Sequence, residues 1–208
     1  MWTVVAIVVA AVAATVQASF FEWAFHRYWL HKPWLPASCF RAHTLVHHQL
    51  CKFEDTFQVV DPEQREALTF AWYGGPLLIA MNAAPWCLVA IGLSALGLGL
   101  PYAAFLITLS AVAALYYAGY EGSHYLMHRP SIAFVEGTRA FQFLKRHHRI
   151  HHVQMDRNLN VLLPLADWCL GTLILTRPDG APRITNEAAR RTARRYSRYA
   201  KPDAAKSE

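Results

Sequence analysis

Two long stretches of the chain carry no charged side chain, Met1 to Phe21 and Ala67 to Tyr120. A helix needs about 20 mostly apolar residues to cross the hydrocarbon core of a bilayer. The first stretch therefore predicts one span, over about 2–21. The second is 54 residues long and predicts two, over about 76–96 and 102–121, being tight for three. Gly97-Leu98-Gly99-Leu100-Pro101 supplies the turn between them, since glycine and proline punctuate helices. Pro85 is expected to kink the first of the pair. Residues 32–66 are polar and broken by Pro33, Pro36 and Pro62, which predicts helices and loops outside the membrane. Asn158 to Leu175 is apolar again but interrupted by Pro164, Asp167 and Gly171, and reads as an interfacial or re-entrant helix. The expected fold class is an all-α integral membrane protein with about three transmembrane helices and a cytosolic helical cap. One domain is expected over 1–180, its cap made of 22–66 and 122–180, with a basic cytosolic tail over 181–208.

Composition supports this picture and adds an orientation. Hydrophobic residues make up 54% and charged residues 16%, against about 25% charge in a soluble domain. Twenty basic and 14 acidic residues leave a net charge of +6. That excess does not call for nucleic acid, because every lysine and arginine lies outside the apolar stretches, as the positive-inside rule produces. The N-terminus is then expected on the far side of the membrane, and the cap and C-terminus in the cytosol. Arg190, Arg191, Arg194, Arg195 and Arg198 have helical spacing and suit either anionic headgroups or solvent. The first apolar run lacks the basic leading region of a secretory signal and continues unbroken into Glu22-Trp23-Ala24-Phe25-His26, so it is expected to be retained. Cys39, Cys51, Cys87 and Cys169 have no zinc or disulfide spacing.

The chemistry lies in the eleven histidines, which fall in four short clusters. These are His26-x4-His31, His43-x3-His47-His48, His124-x3-His128 and His147-His148-x2-His151-His152. The first two clusters precede the hairpin and the last two follow it, so an even number of crossings gathers all of them on one face of the bilayer. Imidazole suits iron, zinc, copper and nickel. So many nitrogens exceed one ion's shell and suit a dinuclear site. On an α-helix, residues four apart lie about 40° from each other. His43 with His47, His124 with His128, and His148 with His152 meet that condition, and His148 with His151 can also share an ion. His26 and His31 are about 140° out of phase on a regular α-helix. Either the helix ends between them or they bind different metals. His147 is a possible ligand or a supporting residue. Glu22, Glu121 and Asp167 are candidate acceptors for the second ring nitrogen of a ligating histidine. A metal transporter or sensor is a remote alternative, and it predicts ionisable residues within the spans.

Glu22 to His31, His43 to His48, Gly122 to His128 and His147 to His152 resemble the histidine boxes of the fatty acid hydroxylase superfamily. That group includes sterol oxidases, sphingolipid fatty acid 2-hydroxylases and β-carotene hydroxylases. Leu165 to Thr172 resembles the stretch that follows the last box, so the likeness covers roughly residues 20–175. The wording around the first, third and fourth boxes is closer to the 2-hydroxylases, and the short layout is closer to the bacterial carotene hydroxylases. The resemblance implies two iron ions, for which zinc can substitute on purification, with O2 as co-substrate. It implies His26, His31, His43, His47, His48, His124, His128, His148, His151 and His152 as metal ligands. It further implies hydroxylation of a fatty acyl, sterol or isoprenoid chain drawn from the bilayer, with carotenoid hydroxylation or desaturation as alternatives on the same centre. No haem domain is fused to this sequence, so electrons are expected from a separate donor, a ferredoxin or a cytochrome b5-type protein with its reductase.

Overall fold

The computed structural model describes residues 1–34, 36–53 and 56–176. The predicted basic tail at 181–208 lies outside the described residues. All regular structure among the described residues is helical. Three helices are long and apolar enough to cross a membrane: α1 (Trp2–Phe25, continued to Leu30), α4 (Gly74–Ala95) and α5 (Tyr102–His128). The shorter helices are α2 (Ala37–Phe40), α3 (His48–Leu50), α6 (Ala133–Glu136), α7 (Arg139–Val153) and α8 (Leu165–Cys169). A 3₁₀ segment spans Pro62–Leu68.

Small side chains explain how α1 packs. Ala10, Ala14 and Ala18 recur every four residues and are buried, whereas Val4, Val5, Val8, Val9, Val12 and Val16 are exposed. In lipid, association comes from close backbone approach rather than from hydrophobicity, so alanines face the partner helix and valines face the acyl chains. Ala10 and Ala14 meet Leu109 of α5, and further along Tyr116 donates to Glu22 at 2.6 Å. α1 and α5 therefore run parallel, with α4 antiparallel between their connections. Gly75 allows a close contact between α4 and α5, because a Cβ there would lie 2.6 Å from the Tyr117 ring. Halfway along the bundle Gln17 donates to the Asn82 carbonyl at 2.7 Å and accepts from Trp86, so these polar groups satisfy one another within the apolar layer.

Parallel α1 and α5 bring the C-terminal ends of both, and all four histidine clusters, to one end of the bundle. Two expectations need correction there. α5 runs past the predicted limit of 121 to His128, so the third cluster lies on the spanning helix itself. Asn158 to Leu175 is not one interfacial helix, because only Leu165–Cys169 is helical. The rest is a loop turned by Asn158, whose φ is 52° and whose amide bridges the His147 and Ile174 carbonyls. Asn and Asp tolerate this left-handed conformation better than other side-chain-bearing residues. α7 is an amphipathic helix capped by Thr138, whose hydroxyl accepts from Phe141 N–H at 3.2 Å.

Candidate metal centre

His26 and His31 fall on one face because α1 changes its winding. Residues His26–Leu30 form a π-turn, closed by His31 N–H donating to the His26 carbonyl at 3.2 Å. An i→i+5 bond places residues five apart one above the other, and the two rings stack with centroids 4.9 Å apart. Arg41–His47 does the same, with His48 N–H donating to the His43 carbonyl. The open question over His26 and His31 is thus resolved by a winding that a regular α-helix lacks. The second π-turn sets His43 beside His48 rather than His47 in the first group, and on the regular helix α7 His151 joins the first group while His148 joins the second.

Nine imidazoles converge in two abutting groups. The first joins His26, His31, His43, His48 and His151; the second joins His47, His128, His148 and His152. Within each group one nitrogen from every ring lies within 4.8 Å of the others. His48 and His152 stack across the boundary with centroids 4.4 Å apart. His124 stands at the edge of the second group, its Nε2 3.2 Å from that of His47. His147 belongs to neither, and its Nε2 points to Asp167 at 3.2 Å.

Hydrogen bonds determine which nitrogen faces inward. His26 donates from Nδ1 to the Leu159 carbonyl at 2.5 Å, His124 to Leu68 at 3.0 Å, His128 to Phe57 at 2.7 Å and His151 to Arg157 at 2.8 Å. The Thr44 hydroxyl gives its proton to the Leu30 carbonyl at 2.6 Å, so it accepts from His31 Nδ1 at 3.1 Å. A neutral imidazole has one N–H. The Nε2 atoms of His31 and His151, 3.1 Å apart, therefore present lone pairs to each other, an arrangement that a shared cation stabilises. A proton is a poor candidate. Burial, then the charge of His151, lowers the His31 pKa far below the usual imidazole value, and burial lowers that of His151 to about 4. His43, His47, His48, His148 and His152 are pushed well down by burial first and then by neighbouring imidazoles. The centre is thus a cage of neutral donors. Nε2–Nε2 separations within the groups, such as 2.9 Å for His26 with His43 and for His128 with His148, fit two nitrogens each about 2.0–2.1 Å from one ion.

The three carboxylates act one step further out than predicted. None of them meets a ring of the two groups. Instead each holds the loop whose carbonyl does. Glu22 accepts from Tyr116, Asn160 and Val161 N–H, fixing the loop that carries the Leu159 carbonyl. Asp167, fully buried, accepts from Leu159 N–H, Asn160 N–H and the Thr172 hydroxyl at 2.9, 2.7 and 2.6 Å. Burial by itself would raise the Asp167 pKa, but His147, Thr172 and the two amides together hold it below the usual carboxylate value. Glu121 accepts from Phe70 N–H at 2.9 Å, beside the Leu68 carbonyl. Carbonyls hold the rings where carboxylates were expected because the loops approach the cage with their backbone.

Sequence reasoning missed Thr44, Phe57, Asn158 and Asn160. The two asparagines were visible as polar interruptions of an apolar run. Nothing local distinguishes Thr44 or Phe57. Phe57 is 3% exposed and packs on His128, His152 and His148 with centroids at 4.4, 5.4 and 6.2 Å.

A family profile described as fatty acid hydroxylase matches residues 11–172, which include every histidine of the cage. No curated protein and no solved structure matches the chain. With three membrane-length helices and four histidine boxes folded into one centre, the chain belongs to the fatty acid hydroxylase family.

Proposed function

We propose that this protein is an O2-dependent di-iron hydroxylase of a membrane lipid chain. Family membership makes it a membrane oxidoreductase of the lipid hydroxylase and desaturase type. The observation that supports the finer reading is the pair of abutting histidine groups, in which the Nδ1–H bonds of His26, His31, His128 and His151 leave inward lone pairs. His26, His31, His43, His48 and His151 would hold one iron, and His47, His128, His148 and His152 the other, with His124 beside it. When bound, the irons supply O2 activation.

The chain's own residues orient, shelter and admit. Leu159, Phe57, Arg157 and Thr44 oxygens keep the rings neutral and turned inward. Leu30, Met127 and Val161 are almost fully buried and exclude water from the protein side. A largely apolar cavity among α1, α4 and α5 ends against His26, giving a bilayer lipid access to the cage. One oxygen atom enters a C–H bond and the other leaves as water, consuming two protons and two electrons. The electrons come from a separate ferredoxin or cytochrome b5-type donor. The cage faces the cytosol, where that donor is found, and the N-terminus lies across the membrane. Transport is not favoured, because the mid-span polar pair Gln17 and Asn82 bond each other.

Lipid mass spectrometry on cells expressing the wild type and a His148→Ala, His152→Ala variant tests the reading. A lipid gaining one oxygen only with the wild type supports hydroxylation and names the substrate class. A lipid losing two hydrogens moves the assignment to desaturation. Oxidation undiminished in the variant overturns both.

A further inference from the structure

We propose that the Phe70 side chain is a partition that sets how far a lipid chain passes the metal centre, and hence which carbon is oxidised. The inference rests on the lipid-oxygenase reading above. Two cavities reach the cage from different sides. The first lies among the spanning helices, is lined mainly by apolar and aromatic side chains with Glu22 and Asn82 among them, and meets the cage at His26. The second lies in the cap, meets the cage at His43, His47 and His124, and is bordered by Glu66 and Thr69. Leu30, Phe70 and Tyr120 line both. An apolar chamber in the membrane followed by a more polar one outside it matches a lipid lying tail inward and head outward, with the carbon beside the partition nearest the cage.

Phe70 is the member of that wall that can be altered alone. Leu30 carries the carbonyl that engages Thr44, and Tyr120 stacks on His124 with centroids 5.9 Å apart. The Phe70 ring lies edge-on to Phe25 at 6.2 Å and stacked on Tyr120 at 5.9 Å, with Gly74 close beneath its base, and takes part in no side-chain hydrogen bond. Its backbone is held separately, by Glu121 on the Phe70 N–H, and the neighbouring Leu68 carbonyl holds His124. Changing the ring therefore changes the wall while leaving the cage supported. A smaller residue joins the two chambers and a larger one separates them further.

The test uses the full chain, metal-loaded, in phosphatidylcholine nanodiscs containing a palmitoyl lipid with a diazirine at the chain end. Wild type, Phe70→Ala and Phe70→Trp are photolysed and the labelled peptides mapped, with metal content measured on each sample. Wild-type label is expected on first-chamber residues such as Phe21 and Ala113. Phe70→Ala should add label at Cys39 and Ala42 in the second chamber, and Phe70→Trp should not. In cells, the alanine variant should spread the inserted oxygen over neighbouring carbons that the wild type leaves untouched. Identical labelling in three metal-loaded proteins overturns the partition, and leaves the oxygenase reading standing if the wild type still oxidises lipid. Shifted labelling with no oxidation by the wild type overturns the oxygenase reading instead. Should Phe70→Ala lose its metal, the metal-loaded Phe70→Leu variant takes its place: labelling and product position unchanged from the wild type overturn the proposal.

Discussion

His26 with His31 and His148 with His152 are both pairs on one helix, yet they reach the cage by different windings. The first pair, like His43 with His48, is five apart and rides a π-turn; the second, like His124 with His128, is four apart and rides an α-turn. The means of orientation differ as well. In the first group His26, His31 and His151 each donate a ring N–H to an oxygen. In the second only His128 does, while the Nδ1 atoms of His47, His148 and His152 are buried without a partner. Those rings are held by packing, His148 and His152 against Phe57 and His47 against His124, His128 and His152. One cage can thus be assembled in two ways, by hydrogen bonds from loops or by contact with an aromatic wall. Each way should fail to a different substitution.

The largest effect comes from the ligands. His48→Ala should empty the first group and His148→Ala the second, each costing about half of the bound metal and all oxidation. Metal analysis of the purified variants checks this, and full metal in either sinks the two-group description. Next is Phe57→Ala, which removes the wall of the second group and should destabilise the protein by about 3–5 kcal/mol, read by thermal unfolding in detergent. Its metal loss should not add to that of His148→Ala but should add to that of His48→Ala. Thr44→Ala is the counterpart in the first group. Losing the acceptor for His31 Nδ1 should weaken metal binding about 10–100-fold, with Thr44→Ser restoring it, as a chelator titration would show. Equal loss in both Thr44 variants would mean that packing, not the hydroxyl, orients His31.

The most gradual effect is with pH, and here the groups should behave alike. Folded-state pKa values of the caged histidines outside the spans lie below the ordinary 6.5. Above that pH neither state binds protons and nothing is lost. Below it the unfolded chain takes up protons that the folded cage refuses, so the metal-free protein should lose stability as pH falls from 6.5 toward about 4, where His151 also titrates. Unfolding temperatures of metal-free protein across that range check the sign. A flat profile would mean that the cage admits protons.

Asp167, Glu22 and Glu121 show where local reading stops. A carboxylate near a histidine cluster in sequence suggests direct support of a ring, but loops approach the cage backbone-first. The carboxylates consequently bind amides and hydroxyls of those loops, and carbonyls meet the rings.

The sequence by itself determined the three spans, the gathering of all histidine clusters at one end and the excess of imidazoles over what one ion would take. Each of these follows from counts: apolar length against bilayer thickness, parity of crossings, and nitrogens against a coordination shell. Only the tertiary structure decided which histidines stand together. That choice depends on two π-turns and on loop carbonyls brought from positions up to 133 residues away. Periodicity along a chain assumes one winding, and packing between elements selected another.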